Sequence, residues 1–224
     1  MSHTSVIAFE GIDGSGKTVQ MQYLRRTLQQ LGMSVDTKAF PVYQSYFGRE
    51  IGQYLSAARG VRADEVDAHS MALWFAMDRY MDFFDYVDGE ADVLLINRYV
   101  LSNAVYQSIR ERDLGQPDLL DWVCELEYGR LGLPEPDLYL VLDVEADDAG
   151  RNVDKKGFRD YVGDARDVYE STEGIQQRAR RKYLEYADRC DNIAVIPCMR
   201  EGKLLPEEEI AQLVQDELFR RGIL

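Results

Sequence analysis

Cysteine, positive charge and long apolar runs are all scarce in this sequence. Its three cysteines, Cys124, Cys190 and Cys198, are scattered, form no C-x-x-C pair and have no metal-ligand spacing. We therefore expect reduced thiols rather than a disulfide framework. No apolar run approaches the roughly 20 residues that a membrane-spanning helix needs, and the first residues lack the basic and apolar regions of a secretory signal. These absences favour a cytoplasmic protein that does not enter a membrane.

The charge balance is acidic. Asp and Glu number 40 against 26 Lys and Arg, so the formal net charge is −14 across 224 residues. A protein that binds long nucleic acid usually carries a basic face, so DNA and RNA are not expected partners. The length suits one α/β domain with a sizeable core, and we expect residues 1–224 to form a single domain.

The most informative stretch is segment 11–18, Gly-Ile-Asp-Gly-Ser-Gly-Lys-Thr, which matches the phosphate-binding loop G-x-x-x-x-G-K-[ST]. An apolar run at 6–9 precedes it and a helical pattern at 19–31 follows it, so the loop joins a strand to a helix N-terminus. There the glycines let backbone N–H groups point at an anion, Lys17 reaches the terminal phosphates, and the Thr18 hydroxyl suits Mg²⁺. The residues expected to bind ATP are Gly11, Asp13, Gly14, Ser15, Gly16, Lys17 and Thr18. The loop alone leaves a kinase, a GTPase and an ATPase open.

Strand and helix patterns alternate along the whole chain. The candidate strands are 6–9, 34–40, 92–96, 137–143 and 192–196. Helical patterns occupy 19–31, a stretch around 51–55, 67–86, a segment opening at 102, 117–131 with Pro117 near its first position, a long segment ending near 189, and 206–221. This alternation predicts a three-layer α/β/α fold of the P-loop NTPase type, with a five-stranded, mostly parallel sheet covered by helices on both faces.

Unusual residues cluster where the predicted strands end, which is where ligands bind in parallel sheets. These ends carry the loop 11–18, Phe40-Pro41, Asn97-Arg98-Tyr99 and Asp143. Lys17, Arg98 and a basic segment at 151–166 would converge there, and no N-K-x-D motif for guanine follows a strand. This pattern fits a phosphotransferase that acts on a small phosphorylated acceptor. The segment of about 146–170 is predicted to be a helical lid that closes over the donor phosphates and excludes water.

Five segments in order resemble the thymidylate kinase family, and together they span the chain from residue 9 to about 186. The segment 9–18 includes that family's Glu before the first glycine and its Asp inside the loop. The other segments are Phe40-Pro41-x-Tyr43, Phe75-x-x-Asp78-Arg79, Arg98-Tyr99-x-x-Ser102-Asn103-x-x-Tyr106, and Tyr169-Glu170 followed by Gln176-Gln177-Arg178. Five short matches at family-like spacing are hard to obtain by chance.

The resemblance implies transfer of the ATP γ-phosphoryl group to dTMP, giving dTDP and ADP. By the same resemblance, Phe75 would stack on thymine, Arg79 would donate to a thymine carbonyl, and Asn103 would read the pyrimidine edge. Tyr106 would crowd the sugar C2′ atom, and Arg98 would hold the acceptor phosphate. The residues implied to bind dTMP are Asp13, Phe40, Tyr43, Phe75, Arg79, Arg98, Asn103 and Tyr106.

The implied reaction is an in-line transfer that depends on positioning and charge neutralisation, because the acceptor is already an anion and hardly needs a general base. Lys17 and Arg98 are the implied catalytic cations. The interior of the phosphate-binding loop contains no arginine, so Arg151 and Arg159 in the lid are added as catalytic candidates.

Mg²⁺ is the implied cofactor, with Thr18, Asp13 and Glu170 as the residues on the metal side. The resemblance also implies a homodimer, for which the aromatic-rich helix around Trp74 and Phe84 offers an interface.

The chain departs from the family pattern at two positions. Asn97 stands where the family signature begins with Asp, and Val42 stands where relatives often have a basic residue. A neutral amide cannot supply the charge of an Asp near Mg²⁺, so Asp13, Glu10 or Glu170 would have to compensate. These departures keep a deoxynucleoside monophosphate kinase of different base specificity open. A P-loop protein that binds nucleotide without turnover is the alternative from another class.

Overall fold

The computed structural model describes residues 3–58, 60–154, 168–171 and 174–223. Its main feature is a parallel sheet of five strands in the order β2-β3-β1-β4-β5. The strands are β1 (Ser5–Glu10), β2 (Val35–Ala39), β3 (Val93–Asn97), β4 (Leu138–Asp143) and β5 (Ile193–Pro197). The predicted five-stranded parallel sheet is confirmed.

The central strands are apolar because the sheet buries them from both sides. Residues 6–9 of β1, 93–96 of β3 and 138–142 of β4 are all buried, as expected for strands covered by helices on two faces. The edge strand β2 differs, since Asp36 and Thr37 are exposed. Burial therefore explains why the middle of the sheet reads as continuous apolar runs while its edge is polar.

Helices cover both faces of the sheet, as predicted. They are α1 (Lys17–Gln30), α2 (Tyr46–Leu55), α3 (Ala68–Asp82), α4 (Val100–Asp113), α5 (Leu120–Cys124), a π-helix (Glu125–Arg130), α6 (Ala146–Asp154), α7 (Val168–Ser171), α8 (Ile175–Ala187) and α9 (Glu207–Arg220). Helix α1 packs against α9, while α4 contacts α3, α5 and α8. Among the described residues, no helix combines the length and apolar character that crossing a bilayer requires.

The strand order opens a crevice between β1 and β3. These two strands are neighbours, with Phe9 in register with Asn97. The chain leaves β1 toward β2 and leaves β3 toward β4, in opposite directions along the sheet. Right-handed crossovers then place α1 and α4 on opposite faces, so the loops after β1 and β3 diverge. Ligands bind at such a switch point in open α/β sheets.

Several predicted helix boundaries were wrong. The pattern at 117–131 is not one helix: α5 begins at Leu120 after Pro117, and the π-helix continues it. The pattern at 67–86 ends at Asp82, with Phe83 as the C-cap. Two helices, α7 and α8, stand where one long helix was expected. Gly174 lies just before α8 in the left-handed region, at φ 68°.

A hairpin with a two-residue turn near the C-terminus was not predicted from the sequence. Its strands are β6 (Met199–Arg200) and β7 (Lys203–Leu204), paired antiparallel. The turn residues Glu201 and Gly202 both have positive φ, at 51° and 71°, as a type I′ turn requires. Glutamate is an uncommon residue at such a position, which is why turn chemistry did not predict the hairpin.

Candidate active site

The loop between β1 and α1 has the strand-to-helix geometry that its sequence predicted. Gly11, Gly14 and Gly16 all have positive φ, and Gly16 is the N-cap of α1. A Cβ atom on Gly11 would lie 2.8 Å from the backbone oxygen of Leu142, so this position excludes a side chain. Lys17 Nζ donates to the carbonyls of Gly11 (2.9 Å) and Ile12 (2.8 Å). The arrangement presents a cation and backbone N–H groups at a helix N-terminus, which suits a phosphate group.

Arg98 lies at the switch point, in the loop that follows β3. Its backbone is in the left-handed region at φ 62°, and its amide donates to the carbonyl of Phe9 at 3.0 Å. The guanidinium pairs with Asp13 of the neighbouring loop and donates to Ser102 Oγ at 3.3 Å. Burial opposes the charge, but the Asp13 carboxylate raises the pKa of Arg98 well above its ordinary value. Arg98 is therefore a fixed cation beside the phosphate-binding loop.

Glu10 holds the loop that carries Arg98, a role that sequence reasoning missed. Its fully buried carboxylate accepts bonds from the backbone amides of Tyr99 (2.7 Å) and Ser102 (3.2 Å). It also accepts from the hydroxyls of Ser102 and Tyr183, the latter at 3.0 Å. Glu10 thus satisfies N–H groups at the start of α4 that no helical carbonyl could reach. Both oxygens of Glu10 accept these bonds, so its role on the metal side stays a prediction that would require some of them to break.

We expect the Glu10→Gln variant to lose about 2–4 kcal/mol of unfolding free energy, because hydrogen bonds to a buried charge contribute roughly 1.5–3 kcal/mol each. Urea denaturation would measure the change. Glu135→Gln is the matched control, since Glu135 is exposed and a surface change should stay within about 0.5 kcal/mol. Equal stability of the two variants would argue against the role assigned to Glu10.

Gln176 links the first turn of α8 to the phosphate-binding loop. Its Nε2 atom donates to Asp13 Oδ2 at 2.9 Å, and its Oε1 atom accepts from the Asp13 amide at 3.1 Å. The Tyr106 hydroxyl donates to the same Oε1 atom at 3.2 Å. The sequence placed Gln176 in a family-like segment but gave it no task. The structure shows that it fixes Asp13 and Tyr106 relative to each other.

Oxygen atoms beside the start of α1 suit a hard divalent cation. Asn97 Nδ2 donates to Thr18 Oγ1 at 3.0 Å, so the two residues are adjacent. Asn97 Oδ1 is buried and has no hydrogen-bond partner within the described residues. Thr18, Asn97 and Asp13 line one cavity, and their side chains carry oxygen atoms, the ligands that Mg²⁺ prefers.

A cleft on the α3–α4 side of Arg98 encloses about 550 Å³ of space, part of it open to solvent. Phe75 is half-buried on its wall, and Tyr106 stacks on Tyr169 with ring centroids 5.5 Å apart. The lining includes eight residues predicted to bind the acceptor: Asp13, Phe40, Tyr43, Phe75, Arg79, Arg98, Asn103 and Tyr106.

The inner end of this cleft carries two buried polar side chains. Arg79 donates to both oxygens of Glu127, at 2.5 and 2.6 Å. Asn103 Nδ2 donates to the carbonyl of Ala72 (3.0 Å) and to Glu127 (2.9 Å). Asn103 Oδ1 is buried without a partner in the described part of the chain. The end of the cleft therefore offers an unused acceptor beside a guanidinium donor.

A second cavity adjoins the first on the side of the phosphate-binding loop. Its lining includes Gly14, Gly16, Lys17, Thr18 and Asn97. The residues that line both cavities are Asp13, Phe40, Pro41, Tyr43 and Arg98. The site thus has two compartments, one built on the loop and one built on aromatic and amide side chains, with Arg98 and Asp13 at their junction.

The lid candidates fall largely outside the described part of the chain. Arg159 lies outside the described residues, and so do the side chains of Arg151 in α6 and Glu170 in α7. Their predicted roles remain predictions. Asp143, which the sequence placed at a strand end, is paired with Arg180 of α8 at 2.5 Å.

Comparisons with known proteins agree on one family. A family model described as thymidylate kinase matches residues 9–208. Thymidylate kinase of Mycobacterium tuberculosis is 37% identical over 186 residues, covering 81% of this chain and 85% of the relative. A probable thymidylate kinase of Sulfurisphaera tokodaii is 28% identical over 204 residues, covering 91% and 93%. The solved structure of thymidylate kinase from Candida albicans has the same fold, with a TM-score of 0.73 at 18% identity over 98% of this chain and 93% of that one.

Proposed function

The chain belongs to the thymidylate kinase family, and on that premise we infer that it transfers the γ-phosphoryl group of ATP to dTMP, giving dTDP and ADP. The observation that carries this inference is the pair of adjoining cavities that share Asp13 and Arg98. A two-substrate transfer needs donor and acceptor phosphates side by side, because the reacting atoms must lie about 3–3.5 Å apart. A protein that only binds nucleotide needs one cavity.

The loop compartment is proposed to hold the ATP phosphates. Lys17 would exchange its bonds to the Gly11 and Ile12 carbonyls for bonds to phosphate oxygens. The backbone amides of the loop and the N-terminus of α1 add positive potential there. Arg151 and Arg159 would complete the charge neutralisation from a lid over residues 146–170.

Arg98 is proposed to hold the acceptor phosphate at the junction of the compartments. Its guanidinium is half-buried and pairs with Asp13, which keeps it cationic. A planar guanidinium can donate two parallel bonds to a phosphate, which fixes the attacking oxygen as well as its charge. Tyr43 lines both cavities and would add a hydroxyl donor. The acceptor oxygen is already anionic, so positioning rather than proton abstraction would limit the transfer.

The aromatic compartment is proposed to hold the deoxyribose and thymine. Phe75 would stack on the base from the wall of the cleft. Asp13 and Tyr106, held together by Gln176, would face the sugar and leave little room for a 2′-hydroxyl. Arg79 and Asn103 would meet the edge of the base at the inner end.

Mg²⁺ is proposed as the cofactor, held by Thr18, Asp13 and Glu170 with Asn97 adjacent. When bound, the ion supplies positive charge on the donor phosphates. Asn97 contributes a neutral oxygen where an Asp would contribute a charge. Lys17 and Arg98 would then neutralise more of the negative charge on the phosphates.

We expect the Asn97→Asp variant to need less Mg²⁺ for half-maximal activity, by at least about threefold, because a carboxylate attracts the cation more strongly than an amide. A Mg²⁺ titration of dTDP formation would measure the shift. Asp36→Asn serves as a control, since Asp36 is an exposed acid on the edge strand. A clear loss of activity by Asn97→Asp at low Mg²⁺ would contradict the placement of this residue beside the metal.

A homodimer is proposed through the exposed apolar side chains of α3 and the residues that follow it. Leu73, Met81 and Phe84 are all exposed, Phe84 at 72%. Trp74 is less available than the sequence suggested, because its ring packs on Phe47 and Tyr54 of the same chain. Sedimentation equilibrium that finds only monomer at micromolar concentration would rule this assembly out.

Incubation with γ-labelled ATP tests the proposed function. Labelled dTDP should form with dTMP, and little product should form with dCMP or dGMP. A reaction without acceptor controls for ATP hydrolysis. ATP binding without any acceptor-dependent product would instead favour a non-catalytic nucleotide-binding protein.

A further inference from the structure

We propose that Glu127 is a positioning residue that sets the base specificity of the cleft. Resting on the proposed function, the inference adds a residue that no sequence motif marked. Glu127 is completely buried and lies in the π-helix Glu125–Arg130. Glu127 is not one of the described residues that line the cleft. It therefore acts on the base only through Arg79 and Asn103.

Glu127 determines which way the Asn103 amide faces. Both partners of Asn103 Nδ2, the carbonyl of Ala72 and the Glu127 carboxylate, are acceptors that carry no hydrogen. A flipped amide would set its oxygen against these two acceptors and lose both bonds. The orientation is therefore fixed by chemistry, and Asn103 Oδ1 is the buried atom left without a partner among the described residues. This acceptor belongs to a residue that lines the cleft.

Glu127 also fixes the guanidinium of Arg79. Nε and Nη2 of Arg79 donate to its two oxygens, and Nη1 takes no part in this pair. Burial opposes the charge of Arg79, but the Glu127 carboxylate raises its pKa. Arg79 thus stays a donor whose plane cannot rotate without breaking the pair.

The two fixed groups make a recognition pattern of one donor and one acceptor. Thymine presents a carbonyl acceptor next to an N3–H donor, which matches Arg79 and Asn103. Cytosine presents the reverse order, an amino donor next to the N3 acceptor, and so leaves each buried group facing its own kind. Unpaired polar groups in a buried site give strong discrimination. Uracil presents the same carbonyl acceptor and N3–H donor as thymine, so dUMP serves as an internal control.

The π-helix explains how Glu127 reaches both side chains. Leu131 donates to the carbonyl of Leu126, five residues earlier, at 2.9 Å. This wider turn interrupts the regular helical register just where Glu127 points at α3 and α4. Single π-turns inside helices are often found at functional sites.

The test compares kcat/KM for dTMP, dUMP and dCMP in wild type, Glu127→Gln and Glu125→Gln. A glutamine can donate to Asn103 Oδ1, so a turned amide loses only its bond to the Ala72 carbonyl and presents Nδ2 to the N3 acceptor of cytosine. We expect the dTMP-to-dCMP ratio to fall at least tenfold in Glu127→Gln, while the dTMP-to-dUMP ratio stays within twofold of wild type. Glu125→Gln, two residues away in the same π-helix with an exposed carboxylate, should leave both ratios unchanged.

An equal loss of kcat/KM on all three substrates would mean that Glu127 is only structural, which would overturn the proposal. An unchanged dTMP-to-dCMP ratio would overturn it as well. If Glu127→Gln does not fold, Glu127→Asp decides, because it keeps the buried charge but is too short to hold Arg79 and Asn103 together. The same fall in the dTMP-to-dCMP ratio is expected there, and its absence overturns the proposal. Failure of the wild type to phosphorylate dTMP would instead refute the proposed function before any variant is compared.

Discussion

The Arg98→Lys variant is expected to lose about a thousandfold in kcat/KM for dTMP. Arg98 lies at the junction of both cavities and is held by Asp13 and Ser102. Lysine keeps the charge but not the planar fork, so it cannot make two parallel bonds to the acceptor phosphate. Two hydrogen bonds between charged groups amount to about 4 kcal/mol, which corresponds to roughly three factors of ten.

Initial-rate kinetics with varied dTMP at saturating ATP would measure this loss. Arg189→Lys is the matched control, because Arg189 pairs with Asp118 on the surface and does not line either cavity among the described residues. Its kcat/KM should stay within about twofold of wild type. A loss of less than tenfold in Arg98→Lys would place the acceptor phosphate elsewhere.

The Lys17→Met variant is expected to lose about a hundredfold to a thousandfold in kcat with little change in the KM for dTMP. Lys17 lines the loop compartment but, among the described residues, not the aromatic cleft, so we expect its charge to act on the donor phosphates alone. Removing one group that stabilises transition-state charge costs about 3–4 kcal/mol in comparable sites. Methionine keeps most of the side-chain length and removes only the ammonium group.

The kcat and KM values for both substrates separate this effect from misfolding. Lys203→Met is the control, since Lys203 is exposed in the terminal hairpin. An increase in the KM for dTMP as large as the decrease in kcat would mean that Lys17 contacts the acceptor, contrary to the two-compartment arrangement.

The framework of the site could be predicted because its residues are local in sequence. The phosphate-binding loop needs a strand, glycines and a helix in immediate succession, and 5–30 supply all three. Arg98 and Asn97 follow an apolar strand, and the parallel sheet brings them beside the loop. Such features follow from strand ends and topology alone.

The residues that support the site could not be predicted, because their partners are distant in sequence. Glu127 is 48 residues from Arg79, and Gln176 is 163 residues from Asp13. In the sequence, Glu127 is one acid within the helical pattern at 117–131. Glu10 was considered as a source of the negative charge that Asn97 does not supply near Mg²⁺. Only the fold shows that the Glu10 carboxylate accepts hydrogen bonds from backbone amides and hydroxyl groups.

Binding of a single ligand that joins adenosine to thymidine through a phosphate chain tests the central claim, that two adjoining cavities hold both substrates at once. Calorimetry should give a Kd at least about a hundredfold below that of dTMP, because linked groups that fit neighbouring sites bind with a high effective concentration. ATP and dTMP should each displace the ligand. A ligand that binds no more tightly than dTMP, or that only one of the two nucleotides displaces, would contradict the two-compartment site.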